Sequence, residues 1–286
     1  MKALALSLVL VSFAAALYGQ ATSQIQGVVR DETGSVVPAA AIKATQTDTN
    51  VTRTTATGAD GSYVLANLPI GPYRLEISKQ GFSTYVQTGI VLQVATSPTV
   101  DIVLKVGNVA EQVQVEANAA LVETQNTNIG TVIDNRRILE LPLNGRNPAE
   151  LIQLVGASVP AGNNGTAGMP GGLNISVGGG LLSGVNYSLD GALYNNPFDA
   201  VNLPFPFPDA LQEFKVETNS LTAEKGTHAA AAVSAVMKSG TNAFHGDLFE
   251  FFRNGHLNAR NSFAARRDSL KRNQYGGTMG GQPDHF

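Results

Sequence analysis

The stretch 209–255 changes character at a single turn, and few folds accommodate the change. Up to residue 238 it reads as packed sheet. Phe214, Val216 and Thr218 alternate with Lys215 and Glu217, the period of a half-buried strand, and a run of small residues follows over 229–235. Lys238, Ser239, Gly240, Thr241 and Asn242 then give a turn signal. Directly after it, Phe244, Phe249, Phe251 and Phe252 crowd together. Aromatic enrichment directly after a tight turn is the change that a passage from a packed sheet into apolar surroundings would require.

The rest of the sequence bounds what can surround that stretch. A length of 286 residues is enough for about two domains. A net charge of −3 implies no nucleic-acid-binding surface. The absence of cysteine excludes disulfides and thiolate metal sites, and fits an exported chain held together by sheet packing. Thirty glycines and thirteen prolines favour a turn-rich, mainly β protein.

The chain starts with a basic Lys2 and an apolar run over 3–17 broken only by Ser7 and Ser12, with small residues at Gly19 and Ala21. This pattern predicts a signal peptide over residues 1–21 and export. The alternative is a buried helix or an anchor, but a bilayer span needs roughly 20 apolar residues. No later segment reads as a transmembrane helix, so a membrane role would have to use strands.

Residues 23–105 read as a β-sandwich of about seven short strands. Tyr73, Leu75 and Ile77 alternate with Arg74, Glu76 and Ser78; Val100, Ile102 and Leu104 do the same, although Val103 spoils the polar face. Turn signals fall at residues 32–34, 59–61 and 69–72. Tyr63, Tyr73 and Phe82 are expected in the core rather than on an exposed aromatic platform. Residues 106–125 read as a linker holding a short strand, with Val113 and Val115 alternating with Gln112, Gln114 and Glu116.

From 126 to 240 a second, mixed α/β domain is expected. Arg136–Leu139 suggests a helical turn after Asp134. Asn147, Pro148 and Glu150 give a cap, a first-position proline and an acid three residues on, so a short helix should follow. The glycine-rich stretch 162–184 reads as a mobile loop, and 195–208, with four prolines, as an exposed one. Residues 186–191 read as a strand entering a turn. Strands are expected over 242–254 and 272–281.

Several strings resemble a known family. "DALQEFKVETNS", "AEKG", "KSGTNAFHG" and "FEFFRN" are similar to the end of the plug and the first barrel strand of TonB-dependent outer-membrane receptors, in the Oar-like branch; "LPLNGRN" over 141–147 recurs there too. "GVVRDETGSVVPAA", "ATGADGSYVLANLPIGPYRLEISKQGF" and "VDIVLKV" resemble the carboxypeptidase-regulatory-like domain, an accessory sandwich of transthyretin-like and starch-binding-like fold. The resemblance implies that 126–240 is a plug and that 241–286 starts a truncated outer-membrane β-barrel. Such a barrel has about 22 strands, so the chain reads as the N-terminal fragment of a receptor. At 229–237, alanine propensity favours helix and the resemblance implies a strand; we expect the strand.

The implied function is energised uptake of a small solute such as a siderophore, oligosaccharide or peptide across the cell outer membrane, with sandwich and plug on the periplasmic side. The implied partners are outer-membrane lipid and a TonB-type energy-coupling protein of the inner membrane. The segment Glu111, Gln112, Val113, Gln114 and Val115 has the position of the coupling segment, a TonB box, which works by strand addition. It reads equally as the first strand of the next domain. The alternative function is a secreted or surface carbohydrate-binding protein without transport. No cofactor and no enzymatic activity are expected. None of His228, His245, His256 and His285 has a glutamate three residues on, and there is no nucleophile elbow or phosphate loop.

Overall fold

The computed structural model describes residues 22–109, 112–116, 129–161, 173–219, 221 and 228–281. The expected signal peptide lies outside them, as do Glu111 and residues 162–172. The chain divides into two units, 1–238 and 239–286. The fold is mainly β, as the alternation and turn signals predict.

Seven strands build the N-terminal sandwich: β1 (Thr22–Asp31), β2 (Ala41–Gln46), β3 (Thr52–Ala56), β4 (Ser62–Pro69), β5 (Gly71–Ser78), β6 (Thr84–Leu92) and β7 (Ile102–Leu104). One sheet has the order β4-β1-β7. The other runs β3-β2-β5-β6 and gains an eighth strand, β8 (Gln112–Glu116), beyond β6. The core between them is the alternating set read from the sequence, including Ile25, Val29, Leu65, Leu75, Ile77 and Ile102. Val103 is exposed, and so the face it was thought to spoil is a solvent face. Tyr63 and Tyr73 are buried, with their hydroxyls donating to Val100 O at 2.8 Å and Pro69 O at 2.9 Å. Burial pushes the Tyr73 phenol up to about 12 and raises that of Tyr63 further. Phe82 packs against the same core. None of the three rings is free to form a binding platform. Gly61 takes φ 73° in the turn before β4, where a side chain would also meet Val29 O.

The second domain is a five-stranded mixed sheet of order β13-β12-β15-β14-β9. Its members are β9 (Ile129–Asp134), β12 (Val185–Leu189), β13 (Ala192–Leu193), β14 (Leu211–Asn219) and β15 (Ala231–Met237), and a small antiparallel pair, β10 (Ser158–Pro160) with β11 (Ile175–Val177), stands apart. Alanine propensity loses at β15, which pairs in parallel with β12 and antiparallel with β14 and is buried on both faces through Val236. Both helical starts fall where the caps put them. Asp134 accepts from Arg137 N at 2.8 Å to open α1 (Asn135–Glu140). Asn147 accepts from Ala149 N at 3.1 Å ahead of Pro148–Leu154, which is a 3-10 helix. Glu150 does not close a capping box; it accepts from Asn144 N at 2.6 Å and folds the 141–147 loop over itself.

Two loop expectations are corrected. Within 173–184 the chain forms β11 and the 3-10 turn Leu182–Gly184, not an unstructured loop. The 195–208 segment is packed rather than exposed. Asn202 and Val201 are buried, and the Phe205 ring meets Tyr187, Tyr194 and Phe214 at centroid distances of 6.3, 5.3 and 5.8 Å. Prolines deny this segment a ladder, but asparagine side chains substitute for one: Asn195 Nδ2 donates to Val185 O and Ala200 O. Pro197, Phe198, Pro204 and Phe207 keep the expected exposure.

In the second unit, β16 (His245–Asn254) and β17 (Lys271–Gly280) pair antiparallel along their whole lengths. Gly276 and Gly277 face Phe249 and Leu248 so closely that a Cβ on either would sit 2.7 Å from the opposing side chain. Gly276 and Gly277 are therefore seats for apolar residues of the partner strand.

Candidate coupling strand and the sandwich junction

The chain leaves β7 and turns back along the start of β6. Ser83 N donates to Lys105 O at 2.9 Å, Gly107 N to Gly81 O at 3.2 Å, and Thr84 Oγ1 to Val109 O at 2.7 Å. Residues 112–116 then pair in parallel with 84–88, in register Thr84↔Gln112 through Thr88↔Glu116. Of the expected coupling segment, Glu111 lies outside the described residues, and Gln112, Val113, Gln114 and Val115 form most of β8. Of the two sequence readings, a coupling segment or the first strand of the next domain, the second is not what the described residues form. Residues 112–116 form the last strand of the sandwich. The physical reason is the bare edge of β6, whose backbone groups need a neighbour and find one in the first extended segment after β7. Val113 is half-buried on this sheet; Gln114 and Val115 are exposed.

A second feature was misread from sequence. The alternation in β14 predicts one wet face, yet Glu213, Lys215 and Glu217 are all buried. Their face of the strand is covered by the sandwich. Val94 N donates to Glu213 Oε2 at 2.8 Å, and Lys215 Nζ donates to Ala95 O at 2.8 Å and lies 3.2 Å from Glu217 Oε1. Ala95 holds φ 51°, in the left-handed region, within the turn that offers both backbone groups. Ile70, Val94 and Val236 add a small apolar cluster beside them. Burial raises the Glu213 carboxyl above its ordinary value, with the Val94 amide and Lys215 opposing and Asp134 across on β9 assisting. The acid–lysine–acid order at every second residue was the available signal, because it lets one face neutralise most of its own charge.

The "LPLNGRN" string is tied to "DALQEF" by a second ion pair of low exposure. Arg146, at φ 56°, reaches Asp209 with Nη2 to Oδ2 at 2.5 Å. Desolvation lowers the guanidinium pKa and the Asp209 charge opposes it. An open cavity of ≈ 660 Å³ lies against Gly178, Gly179, Gly180 and His228. Its histidine nitrogen is 2.6 Å from Ser183 O, and among the described residues no carboxylate lines it. Among the described residues no group of three or more His, Asp or Glu could hold a metal ion.

Two stretches match known domain families. Residues 24–105 match the carboxypeptidase regulatory-like domain, and residues 236–282 match an outer membrane beta barrel domain. Over 251 residues the chain is 28% identical to the TonB-dependent transporter Oar of Myxococcus xanthus, covering 84% of this chain. The chain is therefore similar, over most of its length, to a TonB-dependent transporter. It spans 23% of that transporter's length. Among solved structures, the ferric enterobactin receptor of Pseudomonas aeruginosa is similar over 45% of this chain and 20% of its own, at 16% identity and TM-score 0.36. A putative carbohydrate binding protein from Bacteroides uniformis is similar over 29% of this chain and 40% of its own, at 18% identity and TM-score 0.26. TM-scores this low establish no shared fold. No helix among the described residues is long and apolar enough to cross a membrane, which leaves strands such as β16 and β17 untouched.

Proposed function

We propose that this chain forms part of an outer-membrane receptor for energised uptake of a small solute, and that it catalyses no reaction. In this reading the 129–238 domain is the plug, with the sandwich beside it on the periplasmic side. β16 and β17 open the lipid-facing barrel. A TonB-type inner-membrane protein supplies the work through Glu111–Val115. The observation that carries the reading is the run of an accessory sandwich, a mixed sheet and an outer-membrane barrel match within one chain related to a TonB-dependent transporter. The carbohydrate-binding alternative has no comparable support, since Tyr63 and Tyr73 are turned into the core.

The test uses the intact receptor. Proline at Val113 removes one backbone donor and fixes φ. Val113→Pro is expected to lower solute uptake at least about ten-fold, because strand addition depends on the main chain. Abundance in the outer membrane and solute binding should stay within about two-fold, since proline is tolerated in edge strands. Uptake that survives the substitution removes 111–115 from the coupling role.

A further inference from the structure

β8 ends its sheet, and among the described residues no strand lies on its far side. The opposite end of the same sheet is not equivalent. There β3 carries Arg53 and lies against β4 of the other sheet. The β8 residues, Gln112, Val113, Gln114, Val115 and Glu116, include no lysine, arginine or proline, the residues that normally blunt an exposed edge. An edge strand turns every second pair of backbone N–H and C=O groups outward, and only another extended backbone meets them in series. Charge narrows the partner further. Between Lys105 and Arg136 every charged residue is acidic: Glu111, Glu116, Glu123 and Asp134.

We propose that the coupling partner adds an extended, basic strand to the outer edge of β8 while β8 stays paired with β6. The incoming segment becomes the sixth strand of the sandwich sheet. This rests on the coupling role given to 111–115 above and extends it in one respect: the holder of the partner is the sandwich, not a free segment released from it. The accessory domain then has a mechanical task. It fixes β8 in extended form before the partner arrives, so that ordering cost is met in advance. The acidic run draws a basic strand by long-range attraction, which sets the encounter rate more than the final affinity.

Hydrogen exchange on the unmodified chain, with and without the purified soluble periplasmic domain of a TonB-type protein, reads the two sides of β8 separately. The amides of 112–116 should slow at least about ten-fold on binding, while those of 84–88 stay as protected as before. Faster exchange over 84–88 means that β8 has been stripped from β6, and it overturns the proposal while leaving the coupling role intact. Binding with no change over 112–116 also overturns it. No binding at all removes the coupling role itself, and the proposal with it. A charge-reversed chain, Glu116→Lys, should bind about five-fold more weakly at low salt and lose that difference above about 0.5 M, where exposed charges are screened. Equal binding at low salt would rule out the basic strand.

Discussion

Replacing Lys215 with alanine is expected to open the junction between the sandwich and the 129–238 sheet without unfolding either. In the closed junction Lys215 is the cation beside two buried carboxylates, Glu213 and Glu217, on one face of β14. Its removal leaves them facing the sandwich uncompensated, and breaking a buried pair in this way costs about 3–5 kcal/mol. The protein can escape much of that penalty. If the sandwich lifts away, both acids meet water and the cost falls to whatever docking contributed, chiefly the Ile70, Val94 and Val236 contacts and two hydrogen bonds. Calorimetry should therefore show two transitions in Lys215→Ala where the parent shows one, with faster amide exchange at Val94. A single transition shifted downward would mean that the two domains do not separate.

The same junction carries a pH dependence. Glu213 has its carboxyl raised above 4.5 when docked. A group whose acid form is favoured by docking binds more protons in the closed state, so the closed state weakens as pH rises through the raised value. The contribution is complete below the undocked value, near 4.5, and lost above the docked one. Glu213→Gln should flatten this dependence and keep an acceptor for Val94 N. Titration of junction opening by amide exchange between pH 4 and 8 (roughly the range in which a buried glutamate titrates) checks both statements.

Much of this architecture was legible in the residues. Tyr73, Leu75 and Ile77 are buried as their alternation requires, and the turn glycines and caps at Gly61, Asp134 and Asn147 act where the sequence placed them. What failed has a common cause, because each error assumed that a polar or irregular segment faces water. β14 looked half-wet, since charge on alternate residues normally means solvent; here a lysine between two glutamates is matched by backbone groups of another domain. Residues 195–208 looked exposed, since four prolines forbid a ladder; side-chain amides of Asn195 and Asn202 supply the missing bonds. β8 looked like a linker strand, since nothing near it in sequence pairs with it. Its partner β6 lies well upstream, and a parallel pairing leaves no hairpin turn to betray it. The segment 111–115 was therefore singled out by position, while the sheet that residues 112–115 join was not read.

The sandwich should be open to removal by a single methyl group. Gly27 lies in β1 where residues 98–100 pass alongside, with Val100 N donating to Gln26 O at 2.7 Å. A Cβ at Gly27 would stand 2.0 Å from Val100 O and 2.7 Å from Val100 C, with the Tyr63 ring at 3.1 Å. The first two obstacles are backbone, so no rotamer change relieves them. The approach of the two segments also sets the Tyr63 hydroxyl bond to Val100 O, so separating them breaks that bond as well. Gly27→Ala is expected to destabilise the sandwich by about 3 kcal/mol, the upper end of the usual cost of overpacking, a large share of the ~5–15 kcal/mol that holds a domain of ordinary stability. The 129–238 sheet has a core of its own around Phe214, Tyr187 and Ile133, and the β14 charges it would expose to water are solvated there at little cost. In calorimetry the variant should thus replace the parent's single transition with a smaller one that carries only the heat of the 129–238 sheet. Gly156→Ala, where nothing lies within 4 Å of the added carbon, is the matched control and should change stability by no more than about 0.5 kcal/mol. If Gly27→Ala melts like the parent, β1 and the 98–100 segment are not in the contact described. If both domains collapse together, the second sheet depends on the sandwich for its own folding, and the junction at Glu213 and Lys215 is part of a shared core.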